Sequence, residues 1–147
     1  MGVLQGWPLD SDLEVTGPVV MKLYAATSAR DPDWVARLAD VHADGRSINI
    51  TEGILRARFR DDLWGPPSRV EPGRIYEYAI DMQVTSNVFR KGHRLRLHLT
   101  SSSFPMWSRN QNTGNEPATD TDLRAADQRI YRDRLRPSHL VLPVIGG

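Results

Sequence analysis

Serine and histidine are the first residues to test for chemistry. Ser101, Ser102 and Ser103 follow a stretch that carries His93 and His98. A serine nucleophile needs a base within hydrogen-bond reach and donors aimed at the oxyanion. No oxyanion donor is evident here, so the set reads as the polar end of a strand. The nearest approach to a Gly-x-Ser-x-Gly elbow is Gly45-Arg46-Ser47-Ile48-Asn49. It lacks the second glycine and leads into a strand rather than a helix. Asp40, His42 and Asp44 alternate acid, imidazole, acid beside a turn, and such donors can hold a divalent cation. Asp44-Gly45 is also ordinary hairpin chemistry and explains one of the acids without an ion. Asp61-Asp62 and Asp120 with Asp122 lie in hydrophilic segments, with nothing to raise a carboxyl pKa. Asn49-Ile50-Thr51 matches a glycosylation acceptor but falls in a predicted strand. No P-loop, dinucleotide fingerprint or zinc spacing is present. The expectation is therefore no catalytic residue, no metal and no cofactor.

Recognition is the other chemistry on offer. After Ser103 comes a loop with Phe104, Pro105, Trp107, Arg109, Asn110 and Asn112. Two large aromatics beside asparagines are unusual for a plain connector. They either contact a partner or fold back to plug one end of a sandwich. Trp64, in Trp64-Gly65-Pro66-Pro67, and Trp7 are further candidates for a contact surface.

The strand before that loop, His93 to Thr100, has the clearest pattern. Leu95, Leu97 and Leu99 alternate with Arg94, Arg96 and His98, the period of two of a sheet wet on one face. Further strands are predicted at Leu4–Leu9, Glu14–Thr16, Val19–Ala26, Trp34–Val41, Ser47–Thr51 running on to Arg60, Ile75–Met82, Gln128–Arg134 and His139–Ile145. Gly17-Pro18 reads as a break and Gly53 as a bulge. The 111–122 segment reads as an exposed loop, and Asp120–Asp127 as one helical turn. Short strands, Gly/Pro punctuation and no long helix mean an all-β fold. Long connections before Ile75 and after Trp107 favour a jelly-roll β-sandwich over a meander.

The 147 residues fit one domain and carry a net charge of +1. That charge gives no field for nucleic acid or an anionic membrane. Lys22 and Lys91 are the only lysines, and arginines such as Arg56, Arg58 and Arg60 alternate rather than mass in a patch. There is no cysteine, which removes disulfides and thiolate chemistry and favours a cytoplasmic setting. The first residues lack the charge and apolar run of a signal peptide. They begin abruptly, close to a strand, which suggests a domain of a longer protein that could carry a secretion signal upstream.

Several separated stretches resemble one family. They are 12–18 (Asp-Leu-Glu-Val-Thr-Gly-Pro), 38–46 (Leu-Ala-Asp-Val-His-Ala-Asp-Gly-Arg) and 52–58 (Glu-Gly-Ile-Leu-Arg-Ala-Arg). Glu71-Pro72-Gly73, Thr85 to Phe89, Gly92 to Leu97, Ser102 to Pro105 and Arg109-Asn110 continue the series. In this order they resemble the C-terminal domain of X-Pro dipeptidyl-peptidases and cocaine-esterase-like (CocE/NonD) acyl hydrolases, over about residues 9–145. The resemblance implies a galactose-binding-like jelly roll. It implies an upstream α/β-hydrolase domain in the same polypeptide that holds the Ser-His-Asp triad, none of which has a counterpart here. It also implies a non-catalytic role in packing on that domain and shaping the substrate cleft. Phe104, Trp107, Arg109, Asn110, Asn112 and Trp64 are the candidate contacts, and a homo-oligomer is compatible with this picture. The alternative is a stand-alone carbohydrate-binding module, with Trp107, Asn110 and Asn112 reading a sugar.

Overall fold

A computed structural model describes residues 1–116 and 119–146; Pro117 and Ala118, inside the predicted 111–122 loop, and Gly147 lie outside the described residues. Nine strands build two antiparallel sheets. They are β1 (Gly2–Gln5), β2 (Leu13–Thr27), β3 (Asp33–Val41), β4 (Ser47–Arg56), β5 (Tyr76–Phe89), β6 (Arg94–Thr100), β7 (Gln128–Tyr131), β8 (His139–Val141) and β9 (Val144–Ile145). The first sheet has the order β1-β6-β3-β4. The second pairs β5 with β2, and β2's other edge takes β7, β8 and β9 in turn. The predicted all-β jelly-roll sandwich is the fold, with no α-helix among the described residues.

The core follows the period of two. Val15, Val19, Met21, Leu23 and Ala25 of β2 are fully buried and face Trp34, Ala36 and Leu38 of β3 across the sandwich. Tyr78, Ile80 and Met82 of β5 and Leu97 and Leu99 of β6 complete the layer. Each fully buried side chain of this size contributes roughly 1.5–3 kcal/mol.

Four local expectations are corrected. Gly17-Pro18 does not end a strand. β2 runs straight through it, and the register against β5 slips between Pro18 and Val20. Proline has no N–H to give, so the ladder absorbs it as a bulge. Gly17 adopts φ +133°, and a Cβ there would press on the Pro143 ring at 3.1 Å.

Gly53 is not at a bulge, because the slip between β3 and β4 falls at Leu38/Ala39. Gly53 instead lies hard against the β5 backbone: a Cβ would lie 2.0 Å from Asp81 O. The alternation after Arg56 ends in a single 3-10 turn, Ala57–Phe59. There the Ala57 N–H donates to Pro32 O and the Arg58 N–H to the Asp31 carboxylate.

The segment 120–127 makes no helical turn. Its N–H groups donate elsewhere: Asp122 to Asp120 Oδ1, Arg124 to Gln111 O and Asp127 to Ser28 Oγ.

Other differences are of reach, and β5 runs past the expected Met82 to Phe89. β1 stops at Gln5, although Gly6 and Leu9 still donate to Leu95 O and His93 O. The predicted 139–145 strand divides into β8 and β9 around Pro143, which cannot donate.

Candidate functional site

β3 is the central strand of its sheet and is buried on both faces. Trp34, Ala36 and Leu38 point into the sandwich, whereas Val35 and Arg37 point out. Cross-strand pairing puts Glu52, Ile54, His98 and Thr100 on that same outer face. The 101–116 segment folds back over this face rather than standing away from it. Val35 is buried, and a groove of about 350 Å³ runs between it, Arg37, His98, Ser103 and Phe104.

Glu52 is the hub that holds the segment. Its carboxylate accepts from Arg37, from Ser103 Oγ at 3.1 Å and from Trp107 Nε1 at 2.9 Å. Burial alone would raise this carboxyl. The bonds from Arg37, Trp107 and Ser103 outweigh it and hold the group below its ordinary value of 4.5. Trp107 is thereby half-buried and its only donor is spent.

A second mooring lies at the N-terminal end of β3. Asp33 binds Arg56 through two bonds, of 2.8 and 3.1 Å. Asp31 accepts the Arg58 N–H at 2.9 Å and its Nε at 2.6 Å. Asn110 Nδ2 donates to Asp31 O at 2.8 Å and to Asp33 Oδ1 at 2.9 Å, tying the loop to both acids. Arg58 and Arg69 then reach over to the carbonyls of Asn115 and Gly114. Both aspartates are almost fully buried. Asp33 raises the Arg56 guanidinium further, while burial pushes the Asp31 carboxyl up in spite of Arg58.

The six sequence-predicted contact residues therefore divide. Phe104 (74% exposed) and Trp64 (96% exposed) stand in water, and Arg109 is exposed with them. Trp107, Asn110 and Asn112 are half-buried and bonded inward; Asn112, at φ +63°, donates to Arg124 O. Met106 and Leu63, not singled out from the sequence, are exposed beside Phe104 and Trp64 in the chain, and Trp7 is 88% exposed. The anchors Glu52, Asp31 and Asp33 were also missed. For Glu52 and Asp33 the signal is an acid directly across the sheet from an arginine, Arg37 and Arg56 respectively.

The serine–histidine sets do not form. Ser101 Oγ donates to Gln128 and Ser103 Oγ to Glu52. His98 Nε2 is buried with no hydrogen-bond partner among the described residues, and burial, then Arg96 and Arg37, lower its pKa. Among the described residues no serine hydroxyl is hydrogen-bonded to a histidine. The Asp40-His42-Asp44 trio does not assemble either. Asp44 turns outward to accept from the Arg46 N–H and Nε, and His93, from the turn before β6, takes its place beside Asp40.

The fold is thus a two-sheet β-sandwich whose long loop is tied to the outer face of β3 by hydrogen bonds and salt bridges. The comparisons place it more narrowly. The family model for the X-Pro dipeptidyl-peptidase C-terminal non-catalytic domain matches residues 3–141, and the chain belongs to that family. It is 46% identical over 139 residues to the cocaine esterase of Rhodococcus sp. (strain MB1 Bresler), covering 93% of this chain and 24% of the esterase. Among solved structures it is similar to an aminopeptidase from a marine-sediment Thaumarchaeota archaeon. The TM-score is 0.87 at 30% identity, over 98% of this chain and 25% of that one. An α-amino acid ester hydrolase superposes with a TM-score of 0.87 at 27% identity, over 97% of this chain and 25% of that chain. The chain thus spans about a quarter of the length of the relatives it matches.

Proposed function

We propose that in its natural polypeptide this domain packs on an upstream α/β-hydrolase domain and helps to shape the cleft of a serine ester or amide hydrolase. The observation that carries the reading is the split within the 101–116 loop. Its polar side chains are spent on holding the loop to the sheet, while Phe104 and Met106 are left in water. A loop fixed by buried ion pairs that still presents large apolar groups is prepared for a partner surface. Trp64 and Leu63 extend the same kind of surface on the β4–β5 connection.

The carbohydrate-binding alternative has less support. A sugar site needs free polar groups around its aromatic platform. Trp107 Nε1, Asn110 Nδ2 and Asn112 Nδ2 are all engaged within the chain.

The test uses a fluorophosphonate probe on this chain and on the longer product of its natural reading frame. Labelling of the longer protein alone is expected. In that protein Phe104→Ser should weaken docking by roughly 2 kcal/mol, the scale of a buried aromatic anchor. It should appear as a lower Tm and a lower kcat/KM, with the isolated chain's Tm unchanged. Labelling of the short chain, or a longer protein indifferent to Phe104→Ser and Trp64→Ser alike, would overturn the reading.

A further inference from the structure

The interior face of β3 ends in a carboxylate instead of a hydrocarbon. Asp40 follows Trp34, Ala36 and Leu38 on that face, pairs across to Leu95, and is 5% exposed. Its Oδ1 meets His93 Nδ1 at 2.9 Å. Its Oδ2 makes no hydrogen bond among the described residues and stands 3.8 Å from His42 Nε2. The two imidazoles stack, with centroids 4.2 Å apart and planes inclined by 26°. Donor atoms drawn one from each of the three residues all lie within 4.8 Å of one another. His42 belongs to the β3–β4 hairpin and His93 to the β5–β6 turn, so the cluster joins two separate turns at one end of the sandwich.

We propose that Asp40, His42 and His93 form a binding site for one divalent transition-metal ion of the zinc class. Two imidazole nitrogens and a carboxylate oxygen are a donor set such ions favour, whereas calcium and magnesium take all-oxygen shells. A tetrahedral site with metal–nitrogen bonds near 2.0–2.1 Å sets its ligand atoms roughly 3.3 Å apart. His93 Nδ1 lies 2.9 Å from Oδ1 and His42 Nε2 3.8 Å from Oδ2, and one donor from each residue falls within 4.8 Å of the others, so small side-chain rotations would bring one carboxylate oxygen and both rings to that spacing.

The protons balance. Ligation through His93 Nδ1 moves that ring's proton to Nε2. Ligation through His42 Nε2 leaves the proton on Nδ1. Arg46, whose Nη2 now lies 3.3 Å from His42 Nδ1, then swings away on its exposed stem while keeping its bond to Asp44. The fourth coordination position falls to water on the more open His42 side. A bound ion would staple the β3–β4 hairpin to the β5–β6 turn and stabilise the native state by mass action. The site does not depend on the hydrolase reading.

The test is a cobalt(II) titration of the tag-free chain in chelator-stripped buffer. Visible d–d absorption should saturate at one ion per chain, be displaced by zinc, and be accompanied by a higher Tm. His42→Gln leaves the Asp40–His93 bond intact and should weaken binding by about tenfold or more. No saturable absorption from the folded wild-type chain, or unchanged affinity in folded His42→Gln, would overturn the proposal.

Discussion

Both ends of β3 bury aspartates, and they are partnered in opposite ways. At the N-terminal end Asp31 and Asp33 face Arg58 and Arg56, whose charge is permanent, and Asn110 donates a further bond to the Asp33 carboxylate. At the C-terminal end Asp40 faces two histidines, whose charge is conditional, and among the described residues one of its oxygens is left without a hydrogen bond. The first arrangement fixes a loop at any ordinary pH. The second leaves a carboxylate oxygen over, which an ion can take up. Similar acids on one strand thus acquire different roles, because arginine cannot give up its proton and histidine can.

Removing one acid from each end is the sharpest way to break this comparison. Asp33→Ala leaves a mostly buried Arg56 without its two-bond partner and releases Asn110. Breaking such a pair costs roughly 3–5 kcal/mol, and the partial exposure of Arg56 puts the expected loss near 3 kcal/mol. Asp40→Ala removes a single hydrogen bond to the His93 ring, so about 1–2 kcal/mol is expected. Urea unfolding of both variants measures the gap. Equal losses would mean that the partner's charge is not what distinguishes the two ends.

An effect of intermediate size comes from Glu52, which sits between the ends. Its folded pKa is lowered, so the unfolded chain takes up the proton at higher pH than the native one. The stability it contributes is complete above its ordinary value of 4.5 and is lost as pH falls through the lower folded value. Asp31 runs the other way: its folded value is raised, so acidification through that value favours the native state. Glu52→Gln should therefore flatten the fall of the urea midpoint at acid pH and loosen Trp107, seen as a shift in tryptophan emission. An unchanged acid limb would show that the hub does not hold the loop.

Much of the fold was legible in the sequence, and the misses have physical causes. Leu95, Leu97 and Leu99 announce β6 because one face is dry and the other wet. Gly17-Pro18 misled because local breaker chemistry is overridden when both flanks are buried and a bulge can take up the proline. The loop's aromatics were visible as candidates, but what holds each of them was not. Trp107 is tied to Glu52 and Asn110 to Asp31 and Asp33 over separations of 55, 79 and 77 residues. No local pattern encodes such pairs. The same limit explains the metal-like cluster. Asp40 and His42 are near neighbours in sequence and were read together, but His93 lies 53 residues from Asp40 and only the pairing of β3 with β6 brings it there.

The smallest expected effect separates the sequence-based cluster from the structural one. Asp44 was the third member of the alternating acid–imidazole–acid motif. In the structure it is a turn residue, held below its ordinary pKa by the Arg46 backbone N–H and then by the Arg46 side chain, with its carboxylate in water. Asp44→Asn keeps an acceptor for the Arg46 N–H, as an asparagine in such a turn does. It should leave both the urea midpoint and the cobalt affinity unchanged. The charge it removes lies on the far side of Arg46 from His42, so any electrostatic pull on a bound ion is screened by solvent. A large fall in cobalt affinity in Asp44→Asn would return Asp44 to the ligand set and displace His93. The comparison between the ends of β3 would then have to be redrawn around the hairpin alone.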